Sequence, residues 1–128
     1  MEIICDSSFL MALVSNPINC MDNVESEIGN LKLIVPDFVI QELEAVKRNR
    51  GTKRSMAAKT AIEVSNTRFE IKIMEKKSSV DMDIIDYAIS NKCAVATLDN
   101  EMIRKLKKAK ILVITLEKNK LTVANKYG

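Results

Sequence analysis

Residues 31–46, LKLIVPDFVIQELEAV, carry the switch on which the fold turns. LKLIV is short, apolar and nearly free of alternation, as expected of a strand buried on both faces of a parallel sheet. Pro36 then ends the ladder and stands at the start of a helix, where its missing N–H leaves no bond unmade. From Asp37 onward the period changes, with Val39, Leu43 and Val46 recurring on one helical face. A strand running straight into a helix is half of a βαβ unit. The same alternation continues on both sides. Strands are expected at 2–5, 69–74, 94–97 and 111–116, with helical stripes at Phe9, Leu10, Leu13 and Val14, at Ile84, Ile85, Ala88 and Ile89, and at Met102, Ile103 and Leu106. Further helices are expected at 21–28, stopped by Gly29, and at 55–64. Residues 1–128 thus predict one domain of α/β class. Its expected architecture is three-layer α/β/α with a central, mostly parallel five-stranded sheet. Residues 121–124 read either as a final edge strand or as a tail.

Composition excludes several chemistries. The 128 residues contain no histidine, which removes Ser-His-Asp and Cys-His catalysis and every histidine-based metal site. Three cysteines, Cys5, Cys20 and Cys93, are an odd number without CxxC spacing, so reduced thiols are expected rather than disulfides or a zinc ribbon. No apolar run approaches a membrane span and no basic-then-apolar leader pattern opens the chain, so a cytoplasmic protein is expected. Twenty Lys and Arg against 17 Asp and Glu leave a net charge of +3, too mild to indicate nucleic acid without a clustered distribution.

Four carboxylates stand apart by position. Asp6 follows the first strand, Asp99 follows the strand at 94–97, Asp81 follows the third strand, and Glu42 lies early in the helix after LKLIV. In a parallel sheet these places share the carboxyl edge, where ligands bind. Helical angles add a direction. Asp6, Asp81 and Asp99 each precede an apolar pair by three and four residues (Phe9 and Leu10, Ile84 and Ile85, Met102 and Ile103), which puts them over the buried stripe. Asp83 falls on the opposite face by the same reckoning, and Glu44 faces outward with Arg48 four residues on. A plain alternative exists for the aspartates, because such positions are also those of helix N-caps. Ser78 with Asp81 fits a capping box, and Thr97 competes with Asp99 as a cap. Glu42 has no such explanation, since it lies in the apolar sector of mid-helix.

Convergent acids without a basic partner raise one another's pKa unless a cation neutralises them. Oxygen ligands suit Mg²⁺ or Mn²⁺, and phosphodiester hydrolysis is the chemistry those ions support. ICDSS, VPDFVIQELE, VDMDIIDYA and ATLD, taken in order, resemble the PIN-domain nucleases over nearly the whole chain. The resemblance implies a Mg²⁺- or Mn²⁺-dependent endoribonuclease acting on single-stranded RNA, usually a homodimer. It assigns Asp6, Glu42, Asp81 and Asp99 as catalytic, metal-binding acids and Ser7 and Thr97 as supporting hydroxyls. Two branches fit: VapC-type toxins, which pair with an antitoxin protein, and archaeal relatives of the nuclease that processes small-subunit ribosomal RNA. PDFVIQELEAV looks more like the archaeal group, although Met82 stands where many of its members carry a second Asp.

The turn KRNRGTKRS at 47–55 is read as exposed, and its Lys47, Arg48, Arg50, Lys53 and Arg54, with Arg104, are candidate RNA contacts. A solvated basic face is the plainer reading of both clusters. Tyr87 is a candidate for base stacking or an interface. The alternative function is a non-catalytic RNA-binding or assembly module with the same fold. A receiver-like domain is disfavoured, because LKLIVP and FEIKIM do not end in an aspartate.

Overall fold

A computed structural model of the chain describes residues 2–15, 32–117 and 120–124, with the side chain of Lys120 left aside. In order, the elements are β1 (Glu2–Cys5), α1 (Ser7–Ser15), β2 (Lys32–Pro36), α2 (Asp37–Lys47), α3 (Lys53–Arg68) and β3 (Glu70–Lys72). They continue with α4 (Val80–Asn91), β4 (Ala94–Ala96), α5 (Asn100–Lys108), β5 (Val113–Glu117) and β6 (Lys120–Val123). The helix expected at 21–28, its stop at Gly29, and Cys20 lie outside the described residues.

Among the described residues the sheet has six strands in the order β3-β2-β1-β4-β5-β6, one more than expected. The first five are parallel and β6 returns antiparallel to β5, pairing Leu116 with Leu121 and Ile114 with Val123. Its sequence, KLTV, is half polar, and Leu121 packs against the core.

Central strands explain the continuous apolar runs. Ile3, Ile4 and Cys5 of β1 are wholly buried, as are Ile34 and Val35 of β2 and Val95 and Ala96 of β4, because helices cover both faces. α1, α2 and α3 pack against one another on one side. Right-handed crossovers then place α4 and α5, which follow strands wound in the opposite direction, on the other. The helical stripes enter the core as Phe9, Leu10 and Leu13, as Phe38, Val39 and Leu43, and as Met102 and Leu106. Ile84, Ile85 and Ala88 are buried too, whereas Ile89 is exposed.

α2 begins at Asp37 after Pro36 in extended conformation, as the proline predicts. The basic turn then reverses the chain through Gly51 at φ +84, and Thr52 caps α3 by accepting the Ser55 N–H at 2.9 Å. Glu44 pairs with Lys47 at 3.6 Å, not with Arg48. Asp37 accepts the Met74 N–H at 3.0 Å and so ties the segment after β3 to the start of α2. Cys5 and Cys93 are free, and burial pushes the Cys5 thiol far above its usual range, as for an inert structural cysteine. No helix among the described residues is long and apolar enough to cross a membrane.

Candidate active site

Strand order locates the crevice. The chain leaves β1 toward β2 but leaves β4 toward β5, so the connections diverge at the carboxyl ends of these neighbours and open a cleft between them. Asp6 terminates β1 and Thr97 to Asp99 terminate β4. The ladder still holds at this point, with Asp6 N–H to Ala96 O at 3.1 Å and Thr97 N–H to Ile114 O at 3.0 Å.

Asp6 is 6% exposed, and its two oxygens accept three hydrogen bonds. Its Oδ1 accepts the Ser8 hydroxyl at 2.8 Å and the Phe9 N–H at 2.9 Å, and its Oδ2 accepts the Thr97 hydroxyl. Asp6 therefore does cap α1, and the same carboxylate forms the floor of the cleft. Thr97 is wholly buried; its oxygen also accepts the Asp99 N–H at 3.1 Å. Ser8 Oγ likewise accepts the Leu98 N–H at 3.0 Å. Each hydroxyl has one proton, and both protons are given to Asp6. The 3.3 Å between Ser8 Oγ and Thr97 Oγ1 is thus a contact of two oxygens held by the same carboxylate.

Three donors aimed at Asp6 describe the cradle of an anion. Burial nevertheless lifts its pKa above the ordinary range, against the pull of Thr97, Phe9 and Ser8, and Asp81 adds to the rise. Glu42, half-buried on α2, is also lifted, chiefly by burial, with further contributions from Asp6 and Asp81. The nearby Ser7 hydroxyl and the charge of Lys76 oppose this. Asp81, half-buried in the first turn of α4, is lifted by burial and by Asp99, while Lys105 opposes. Asp99 is exposed and caps α5, accepting the Glu101 N–H at 2.9 Å and the Met102 N–H at 3.3 Å. The four acids thus form a connected set in which Glu42 feels Asp6 and Asp81, and Asp81 feels Asp99. Among the described residues, no Lys or Arg forms an ion pair with any of them.

Two details differ from expectation. Ser79, not Ser78, caps α4, accepting the Met82 N–H at 3.2 Å, which leaves Asp81 free of capping duty. Asp83 does not face solvent. It is buried and accepts the Lys77 N–H at 3.1 Å and the Ser78 N–H at 3.0 Å, so it clamps the loop before α4 instead of joining the cleft.

Ser8 and Lys76 are the residues that sequence reasoning missed, and Lys105 is legible only as one of the basic residues that follow Asp99. Ser8 is visible only as a second hydroxyl beside Ser7, and the lysines approach from a loop and from a helix face that no spacing rule connects to the acids. Of the basic candidates, Lys47 is paired with Glu44 and Arg104 lies 3.9 Å from Glu101. Arg48 and Arg50 are exposed in the turn. Lys53 and Arg54 line a shallow depression of about 400 Å³ with Ser8, Met11 and Ser15, next to the cleft.

The residues suit a hard divalent cation by chemistry: every donor is oxygen, and among the described residues Lys76 and Lys105 act on the acids without forming an ion pair with them. Among the described residues no three His, Cys, Asp or Glu side chains stand grouped as a ready ligand set. An ion that keeps several waters and takes one or two carboxylates fits that spacing.

Ser8→Ala is expected to leave the Leu98 N–H without its partner and Asp6 short of one donor. A stability loss of about 1–2 kcal/mol in denaturant titration should follow. A fall in metal affinity of roughly 10- to 100-fold should accompany it.

A mostly parallel sheet covered by helices on both faces, with acidic residues at its switch point, defines the class of three-layer α/β/α domains. The family is more specific: the PIN-like domain model matches residues 3–119, and the chain belongs to that family. Among solved structures it is similar to the PIN domain endonuclease Utp24, with a TM-score of 0.77 and 21% identity, covering 96% of this chain and 90% of that one. It is also similar to VapBC2 from Rickettsia felis bound to a promoter DNA fragment, at TM-score 0.68, 14% identity, and 91% and 100% coverage. A domain of a functionally unknown Methanocaldococcus jannaschii protein matches at TM-score 0.65 and 15% identity, covering 91% of each chain. Among curated proteins none matches. The nuclease relatives are consistent with a nuclease fold.

Proposed function

We propose that the chain, as one domain over residues 1–128, is a Mg²⁺- or Mn²⁺-dependent endoribonuclease that hydrolyses single-stranded RNA. The observation that carries this reading is Asp6: a buried carboxylate held by three donors, close to Asp81, and ion-paired with no Lys or Arg among the described residues. A divalent cation at these acids supplies charge neutralisation, polarisation of the scissile phosphate and activation of water. Asp6, Asp81 and Asp99 hold the ion directly or through water, and Glu42 completes the set. Ser7 orients Glu42, while Thr97 and Ser8 orient Asp6. The archaeal ribosomal-RNA-processing branch is preferred to the toxin branch, in which an antitoxin would be the partner. A homodimer in the cytoplasm belongs to the same reading.

The deciding experiment is incubation of a single-stranded RNA with the protein and Mn²⁺ or Mg²⁺. Cleavage that leaves 5′-phosphate and 3′-hydroxyl ends and stops with chelator is expected. The dispersed acids favour, as a second reading, the non-catalytic RNA-binding module. It would be supported by RNA affinity without Mn²⁺ binding in calorimetry.

The depression lined by Lys53 and Arg54 lies beside Ser8 and offers a track for the RNA backbone. Lys53→Ala and Arg54→Ala should each weaken binding across unrelated sequences. Each lost phosphate contact should lower the slope of log affinity against log salt by about 0.7. Unchanged slopes would remove both residues from the interface.

A further inference from the structure

Among the described residues, β3 is an edge of the sheet and pairs with β2 alone. Its outward-facing groups follow from one proline. Pro36 stands opposite Lys72 in the register, and the pair before it is Val35 with Ile71. Parallel strands can bridge that pair in two ways, and the one using the Ile71 carbonyl needs an N–H from residue 36. Proline has none. The ladder therefore runs from Val35 to the Glu70 carbonyl and the Lys72 N–H, and Ile71 turns its N–H and C=O to the open edge. Met74 keeps the alternation by turning its N–H inward to Asp37, so the Ile73 N–H also points outward.

Edges are usually blunted with charge. Here Glu70 and Lys72 are of opposite sign and two residues apart, while Ile73, the next residue, is 86% exposed. The pattern FEIKI at 69–73 is self-complementary about its centre. With a two-fold axis at Ile71, Glu70 of one copy lies opposite Lys72 of the other, and the reverse. Ile71 meets Ile71 and exchanges both backbone bonds, and exposed Ile73 lies opposite Phe69. The Phe69 N–H is already bonded to the Ser65 carbonyl at 3.3 Å, so the Ile73 N–H is directed at the Phe69 carbonyl. A parallel in-register pairing would instead set Glu against Glu and Lys against Lys, which is repulsive.

We propose that a second copy of this chain occupies the β3 edge, paired antiparallel about Ile71 with Glu70 opposite Lys72. Glu70 is bridged to Lys32 at 3.0 Å, and Lys72 donates to the Tyr87 hydroxyl of α4 at 2.7 Å; two residues apart on a strand, both side chains lie on the α4 face of the sheet. Exposed charge pairs add little affinity, so the pair selects register. Backbone bonds and cover for Ile73 supply the association. The proposal names the surface of the homodimer suggested above and does not involve the acids. A failed dimer with intact cleavage, or the opposite, tells the two readings apart.

Sedimentation equilibrium of the full chain tests it. Wild type is expected to dimerise. Ile73→Pro removes an outward N–H at a position where an edge strand accepts proline, and it should weaken association at least tenfold with an unchanged circular dichroism spectrum. Glu70→Lys and Lys72→Glu should each weaken self-association several-fold alone and should pair with each other in preference to themselves when mixed. Wild type remaining monomeric at millimolar concentration would overturn the proposal. So would a dimer indifferent to Ile73→Pro and to the mixed charge variants.

Discussion

Asp6→Asn is expected to fold normally, to lose stabilisation by Mn²⁺, and to cleave RNA on the order of a hundredfold more slowly or worse, the upper range for losing even a supporting residue of a metal site. Asparagine keeps an oxygen for the Phe9 N–H and the Ser8 hydroxyl, so the α1 cap survives. What disappears is the negative charge and, at Oδ2, the acceptor of the Thr97 hydroxyl, whose proton must turn to Ser8 Oγ at 3.3 Å. The wild-type protein at a Mn²⁺ concentration a hundred times its dissociation constant should gain about 2.7 kcal/mol, and the variant should gain almost nothing. Full activity in the variant would remove Asp6 from the chemistry and leave it as a cap.

The same substitution has a pH signature in the metal-free protein. The carboxyls of Asp6, Glu42 and Asp81 are all held above their ordinary values of 3.8, 4.5 and 3.8. A raised folded pKa favours folding fully below the unfolded value, and that contribution is lost as pH rises through the folded value. Relative to Asp6→Asn, metal-free wild type should therefore lose stability as pH climbs from the ordinary carboxylate range toward neutrality. Saturating Mn²⁺ should reverse the loss. A wild-type-minus-variant difference that grows with pH in chelator would contradict the desolvated-anion account.

Asp81 and Asp83 should separate cleanly. Asp81→Asn removes a charge from the cleft without touching the α4 cap, so cleavage should fall on a scale similar to Asp6→Asn while the denaturation midpoint holds or rises. Asp83→Ala leaves the Lys77 and Ser78 N–H groups without their acceptor, and a loss of roughly 1–3 kcal/mol is expected. Its cleavage per folded molecule should change less than tenfold, about 1.4 kcal/mol. The reverse pattern, with Asp83 essential and Asp81 dispensable, would move the third acidic position by two residues.

This pair also marks the limit of what could be read from sequence. The strands were legible because buried parallel strands leave unbroken apolar runs, and β1 begins and ends at the expected residues. The helical wheel ranked Asp81 over Asp83 for the cleft, yet it treated the far side of α4 as solvent. The loop at 73–79 folds over that side, and only the tertiary path reveals that Asp83 is covered. The cap moved for the same reason: once Asp83 holds the Ser78 N–H, the next serine is the one left to cap. β3 shrank to Glu70–Lys72 because pairing, not composition, ends a strand. Ser8 reaches Asp6 locally, but its bond to Leu98 spans ninety positions of chain, and no spacing rule extends that far.

That distance has a consequence for when the pocket comes into being. Asp6 and Glu42 leave the ribosome early, but the Thr97 hydroxyl and the Leu98 N–H that complete the arrangement around Asp6 belong to β4 and the turn after it. β4 must also insert beside β1 before they can engage. A nascent chain that stops short of β4 carries the first three acids with Asp6 held only by its own α1, so assembly of the cleft is deferred until β4 and the turn after it have been made.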